Sequence, residues 1–278
     1  MASISSNPEY VITAENRQLM DMSELWRYRE LFYFFTWRDI KIKYKQTVLG
    51  FLWAIIQPVL MMVIFTFFFG QALNIPSQNI PYPVFVFSGL LLWNLYATGL
   101  SSSANSMVAN AHIIKKIYFP RLIIPVSSVL VALFDFFMAI LIFFVLLVYY
   151  QQPVGLNAIW MWPCAILITI IATLGPGAWI AALNVKYRDF RYVIPFLIQV
   201  LFFLTPVIYP INILEHEILR YAVAISPMYA AIELFRIPIV SQTPDLGLIG
   251  ISLVSTILLF VGGLFYFKKA EDFFADFA

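Results

Sequence analysis

The chain has 278 residues, of which 62% are hydrophobic and 12% charged, with a formal net charge of +2. Soluble domains carry about twice that charged fraction, and no Asp, Glu, Lys or Arg lies between Lys45 and Lys115, nor, apart from Asp135, between Leu122 and Val185. These stretches exclude a soluble globular enzyme, a disordered tail and a nucleic-acid binder, whose basic surface must gather on a wet face. Each stretch can hold two membrane-crossing helices of about 20 apolar residues.

In chain order, residues 1–24 contain Glu9, Glu15, Asp21 and Glu24 and no apolar core after a basic start. A cleaved signal peptide is therefore not expected. Residues 21–45 are predicted to form an amphipathic helix along the inner membrane surface. Asp21 and Glu24 have capping-box spacing, and Leu25, Tyr28, Phe32 and Phe35 fall on one face at helical spacing. Trp26, Tyr33, Phe34 and Trp37 spread over the rest of the helix, as suits the headgroup level.

Six spans are predicted: 48–70 with Pro58, 82–105, 122–150, 159–184 broken at Gly175-Pro176-Gly177, 192–209 with Pro195 and Pro206, and 246–267. Between the last two, residues 210–244 are semi-apolar and divided by Pro227 and Pro238. Within them, 221–225 and 228–235 read as two short helices, too short to span, that dip into the outer leaflet and return. The fold class is thus all-α integral membrane, one domain over 1–278: an interface helix in 1–47, spans 1–5 over 48–209, outer short helices in 210–244, span 6 in 245–268 and a tail in 269–278. No internal repeat or low-complexity segment is present.

Orientation follows from Lys and Arg, which accumulate in cytoplasmic loops. Fifteen of the seventeen fall in the N-terminal segment, the span 2–3 loop, the span 4–5 loop and the tail; only Arg220 and Arg236 fall on the other side. Both termini are therefore expected in the cytoplasm, consistent with an even number of spans.

The chain contains no Gly-x-x-x-x-Gly-Lys-Ser/Thr phosphate loop. His112 and His216 lie on opposite faces, and Cys164 is the one cysteine, so neither a metal site nor an intrachain disulfide is expected. Asp135 is the one charged residue well inside a span. Intramembrane acids are costly and default to functional candidates. Asp135 reads either as an ion-coupling group or as a polar contact that fixes packing, with Ser127 or Ser128 of the same helix turned toward a neighbour. The 27 Phe, 15 Tyr and 7 Trp read as lipid-facing bulk and headgroup anchors, or as an aromatic channel lining on which sugar rings slide.

Two basic, aromatic segments on the inner side have a topogenic reading and a docking reading. One is Lys115-Lys116-Ile117-Tyr118-Phe119-Pro120-Arg121. The other is Lys186-Tyr187-Arg188-Asp189-Phe190-Arg191, where Asp189 between arginines favours an ordered, paired loop.

These segments, with Trp37-Arg38-Asp39-Ile40-Lys41-Ile42-Lys43-Tyr44-Lys45-Gln46-Thr47-Val48-Leu49-Gly50, Leu52-Trp53 and Gln57-Pro58, carry a family resemblance. So do Tyr192, Pro195, Gln199 and Thr205-Pro206-Val207, and Ser226-Pro227-Met228 followed by Arg236, where the family more often has Asn at the first position. In this order the set resembles the transmembrane permease of polysaccharide-exporting ABC transporters of the ABC-2 type, which move O-antigen, capsule or teichoic acid polymers.

The resemblance implies a transport subunit, not an enzyme, in the bacterial inner membrane. Two copies pair, and each binds a separate ATPase chain, which holds the ATP and Mg; this chain needs no cofactor. The substrate is an undecaprenyl-linked polysaccharide, and nucleic acid is not a partner. The ATPase-coupling residues are expected to be Lys115, Lys116, Tyr118, Phe119, Arg121, Arg188 and Asp189. Arg38, Lys41, Lys43 and Lys45 lie where the lipid pyrophosphate arrives. Spans 1 and 5 are expected to line the path, and the short outer helices to help close its far end. The alternatives are an ABC-2 small-molecule exporter, or a secondary transporter coupled through Asp135.

Overall fold

The computed structural model describes residues 22–45, 50–187, 189–240 and 244–271. The described residues are helical and contain no strand. In order they form α1 (Met22–Arg27), α2 (Arg29–Lys45), α3 (Leu52–Phe65), α4 (Tyr82–Ala109), α5 (Ala111–Ile114), α6 (Ile123–Tyr149), α7 (Ala158–Lys186), α8 (Phe190–Leu204), α9 (Glu217–Ala224), α10 (Tyr229–Arg236) and α11 (Leu246–Ala270). A π-helical segment, Thr66–Ala72, continues α3.

Among the described residues five helices are long and apolar enough to cross a membrane: α3 with its continuation, α4, α6, α7 and α11. The fifth expected span is shorter than its sequence suggests. α8 has 15 residues, about 22 Å of axis against a hydrocarbon core of about 30 Å. It stops at Leu204 because Pro206 disfavours helical backbone at the residue before it, and Thr205 is extended (ψ 139).

The break expected at Gly175-Pro176-Gly177 is absent: α7 runs unbroken from Ala158 to Lys186. Pro176 removes one backbone donor, a loss that neighbouring helices make tolerable in a membrane. The two glycines provide close approach. A Cβ on Gly175 would strike the backbone of Phe260 and Leu259 in α11, and one on Gly263 of α11 would strike the backbone of Gly175. A Cβ on Gly177 would sit 2.6 Å from Ser103 Oγ of α4. The glycine-rich triplet is where α7 presses its backbone against both neighbours, as small residues do between membrane helices.

α4 is the hub, with Val84 through Trp93 all buried. It packs on α3, α6, α7, α8 and α10. α3, by contrast, buries only Pro58 and Met62 and leaves Leu60, Met61, Val63 and Ile64 exposed. Lys115, Lys116 and Arg121 lie in the loop between α4 and α6, Lys186 ends α7, Arg191 is in the first turn of α8 and Lys268 and Lys269 end α11, so these helix ends form the basic end of the chain.

The two short helices expected between residues 210 and 244 are α9 and α10, bent by 98° at a proline elbow, Ile225–Met228. Their elbow carbonyls lie against α11, whose hydroxyls satisfy them. Ser255 Oγ donates to Ile225 O at 2.7 Å, Ser252 Oγ to Ser226 O at 2.7 Å and Thr256 Oγ1 to Pro227 O at 3.1 Å. A non-helical turn within an apolar bundle requires such partners, because lipid offers none.

Candidate functional site

Three polar assemblies stand out, and sequence position anticipated them unequally. The first is the loop after α5 at the basic end. Lys115, Lys116, Ile117 and Tyr118 are exposed, Tyr118 at 74%. Phe119 points the other way: it is 3% exposed and packs its ring on Phe35 of α2. The guanidinium of Arg121 donates to the backbone carbonyl of Glu271, whose carboxylate accepts from Lys268 at 2.7 Å. The loop is therefore tied inward through Phe119 to α2 and through Arg121 to the end of α11. Its outward face is the basic run and one tyrosine. Asp189 is exposed and makes no ion pair with a described residue; Arg188, one of the two arginines expected to pair with it, lies outside the described residues.

The second assembly is built by α2. The one helix expected over 21–45 is split at Tyr28 into α1 and α2, but the apolar face read from spacing persists across both: Leu25, Tyr28 and Phe32 are partly buried and Phe35 buried, whereas Trp26, Tyr33, Phe34 and Trp37 are exposed. The capping residue Asp21 lies outside the described residues. α2 does not lie apart on a surface; it packs along α6. Near its middle, Arg38 Nη2 donates to Asn110 Oδ1 at the end of α4 (2.7 Å), Nε donates to Asp39 (2.8 Å), and the guanidinium stacks on Phe35. In its last turn, Lys43 Nζ pairs with Asp135 Oδ2 at 2.5 Å, and the Tyr44 hydroxyl donates to Asp135 Oδ1. Asp135 sits twelve residues into α6, about 18 Å along its axis. Burial, then the adjoining carboxylate, raises the Tyr44 pKa above that of an ordinary phenol, so Tyr44 remains a donor.

Asp135 thus makes a polar contact to another helix, through Lys43 and Tyr44 of α2, while the serines of its own helix turn to no neighbour's side chain. Ser128 donates to Ile124 O, and Ser127 Oγ has no partner among the described residues. A carboxylate in mid-helix is tolerable in an apolar bundle because a cation and a phenol reach it. Above this network lies a cavity of about 180 Å³ between α2, α3, α4 and α6. Trp53, Gln57, Asn94, Thr98 and Asp135 are among its lining residues. Of the four basic residues expected at the pyrophosphate, Arg38 and Lys43 are paired with carboxylates. Lys41 and Lys45 are exposed, Lys41 lying over the Trp37 ring.

Sequence reasoning missed the third assembly. It counted Arg236 as a loop charge, yet Arg236 is 1% exposed. Its guanidinium stacks 3.8 Å from the Phe85 ring centroid and spends its fork on α4 and the chain after α8. Nη1 donates to Pro206 O (2.8 Å), Nη2 to Val207 O (2.6 Å) and Phe85 O (3.2 Å), and Nε to Ser88 Oγ (3.2 Å). Glu233 supplies the counter-charge at 3.9 Å. Gly89 makes room: a Cβ there would lie 2.6 Å from both Arg236 Nη2 and Val207 O. The available signal was an arginine on the amphipathic α10, one turn from Glu233, just before Pro238.

Among the described residues, no group of three His, Cys, Asp or Glu could hold a metal ion. The assemblies anchor helices and offer surfaces; they have no nucleophile–base geometry.

Comparison with known proteins agrees. The family of ABC-2 type transporters matches residues 30–240. An O-antigen export system permease protein RfbA of Klebsiella pneumoniae is 30% identical over 239 residues, 86% of this chain and 91% of that protein. The RfbA of Myxococcus xanthus is 30% identical over 254 residues, 90% of this chain and 96% of its own. The polysialic acid transport protein KpsM of Escherichia coli is 22% identical over 244 residues, 84% and 91% of the two chains. With several apolar helices and matches running through α2, the loop after α5 and the α9–α10 elbow, this is a multi-pass membrane protein, and it belongs to the ABC-2 type transporter membrane family.

Proposed function

We propose that the chain is the channel-forming subunit of an ATP-driven exporter that moves lipid-linked polysaccharide of O-antigen, capsule or teichoic-acid type across the bacterial inner membrane. One observation carries this: the 30% identity to two O-antigen export permeases over nearly the whole chain. In this reading 1–278 is one membrane domain, crossed six times, with both termini and the basic end in the cytoplasm. The lopsided placement of Lys and Arg supports that orientation. Two copies enclose the path, and each binds a separate ATPase subunit that holds ATP and Mg.

The geometry suggests how the work is delivered. ATP binding draws the two ATPases together, and Lys115, Lys116 and Tyr118 face them. Arg188 and Asp189 complete the contact from the loop before α8. Phe119 and Arg121 couple the contact inward, passing the partner's displacement to α2 and α11. α2 hands it to α6 through Lys43, Tyr44 and Asp135. Such a linkage biases a two-state arrangement of helices rather than deforming one smoothly. At the polymer's lipid pyrophosphate, Lys41 and Lys45 make first contact, because Arg38 and Lys43 are already neutralised by Asp39 and Asp135.

Deletion in a cell that makes the polymer tests the reading. The polymer should disappear from the cell surface and accumulate inside, and the wild-type chain should restore it. Unchanged surface polymer would refute the proposal.

A further inference from the structure

The cavity beside Asp135 has a chemistry that transport by α2 and its loop does not use. Its walls are apolar where Leu91, Leu95, Ala132 and Phe136 contribute. The exposed Gln57 and the partly buried Asn94 and Thr98 also line it. Among the described residues none of these three side chains has a hydrogen-bond partner within the protein. Two amides and a hydroxyl lining about 180 Å³ can serve a ligand rich in hydroxyls.

The charge balance narrows the class. Asp135 is the one acid in the cavity, and Lys43 matches it at 2.5 Å. The site is close to neutral, so it has little to offer a pyrophosphate and no uncompensated acid for a cation. An amide offers a donor and an acceptor side by side, the pattern that vicinal hydroxyls satisfy. The cavity rim carries Trp53, half-exposed on α3, whose indole face can cover the apolar face of a sugar ring.

We propose that this cavity is a binding site for an uncharged, hydroxyl-bearing sugar unit of the exported polymer, held by Gln57, Asn94 and Thr98 and covered by Trp53. The proposal rests on the polysaccharide-export reading. Few direct bonds and a near-neutral wall give weak binding, which lets a polymer advance without becoming trapped.

The test is photo-crosslinking in cells that make the polymer. Trp53 is replaced by p-benzoylphenylalanine, and Phe265, exposed on α11 away from the cavity, serves as control. Irradiation should yield a glycan-staining adduct at position 53 and none at 265. A second variant, Gln57→Leu with Asn94→Leu, removes both amides at near-constant volume; surface polymer should fall at least tenfold with the membrane level of the chain unchanged. An exporting chain whose position 53 captures no glycan, or full export from the double leucine variant, overturns the site. Deletion of the chain keeps the two ideas apart: surface polymer that survives deletion defeats the export reading, whereas loss on deletion without an adduct at 53 defeats the cavity alone.

Discussion

Replacing Arg236 by Met retains the side-chain stem and removes the guanidinium. The structure then leaves Pro206 O and Val207 O without donors and Glu233 buried beside no cation. Removing one partner of a buried charge pair costs about 3–5 kcal/mol, and the two orphaned carbonyls argue against a smaller figure. About 3 kcal/mol is roughly a hundredfold in an opening equilibrium. The segment freed is the chain just beyond α8, so the assay should read that segment. In a Cys164→Ser background, Val207→Cys places a thiol at a position that is 0% exposed. Its alkylation rate in the solubilised chain reports the population of the open form. Arg236→Met should raise that rate about a hundredfold or more, and Arg236→Lys, which keeps the charge and loses the fork, by less. Ala178→Cys, buried in α7 away from the arginine, should be unaffected. A Val207→Cys rate that changes by less than about threefold would refute the clamp; threefold is well under 1.4 kcal/mol.

The remaining predictions concern packing and the basic end. Gly175→Val should destabilise the solubilised chain by about 1–3 kcal/mol because the backbones of α7 and α11 cannot separate cheaply. Gly262→Ala, with nothing within 4 Å, should be neutral or stabilise by up to about 1 kcal/mol; thermal aggregation of the two variants makes the comparison. Phe119→Ala should cost about 3–5 kcal/mol of stability. Tyr118→Ala and the charge reversals Lys115→Glu and Lys116→Glu should cost far less thermal stability than Phe119→Ala and reduce the ATPase recovered with a tagged chain from native membranes. Equal effects at Tyr118 and Phe119 on both readouts would contradict the division of the loop. A double-mutant cycle of Lys43→Met with Asp135→Asn should show coupling of roughly 1 kcal/mol or more, since the carboxylate is largely buried while the lysine is partly wet; additive effects would mean the pair does not hold α2 to α6.

Much of the architecture was legible because it follows from period and length. The charge-free runs became α3, α4, α6, α7 and α11, and the Leu25–Phe35 stripe became the buried face of the interface helix. Proline and glycine were read less well, because their meaning depends on neighbours that a sequence does not display. At Gly175-Pro176-Gly177 the glycines mark backbone contact with α11 and α4, while Pro206 ends α8 five residues before the expected boundary at Tyr209. Asp135 was legible as a polar site and its partners were not, since Lys43 and Tyr44 reach it from about ninety residues away. Arg236 was misplaced because loop counting assigns a charge to water by position, whereas carbonyls at Pro206 and Val207 and the Phe85 ring bury it. The polar stripe Ser252, Ser255 and Thr256 on α11 was a readable sign that something non-helical leans on that span.

The central claim, ATP-driven polysaccharide export by this chain, is tested most directly in inverted membrane vesicles from cells that make the polymer. Vesicles containing the chain and its ATPase, given ATP, should move the polymer into the lumen, where added glycosidase cannot reach it. A non-hydrolysable ATP analogue, or vesicles lacking the chain, should leave it digestible. Polymer that becomes protected equally well without the chain or without hydrolysis would contradict the account.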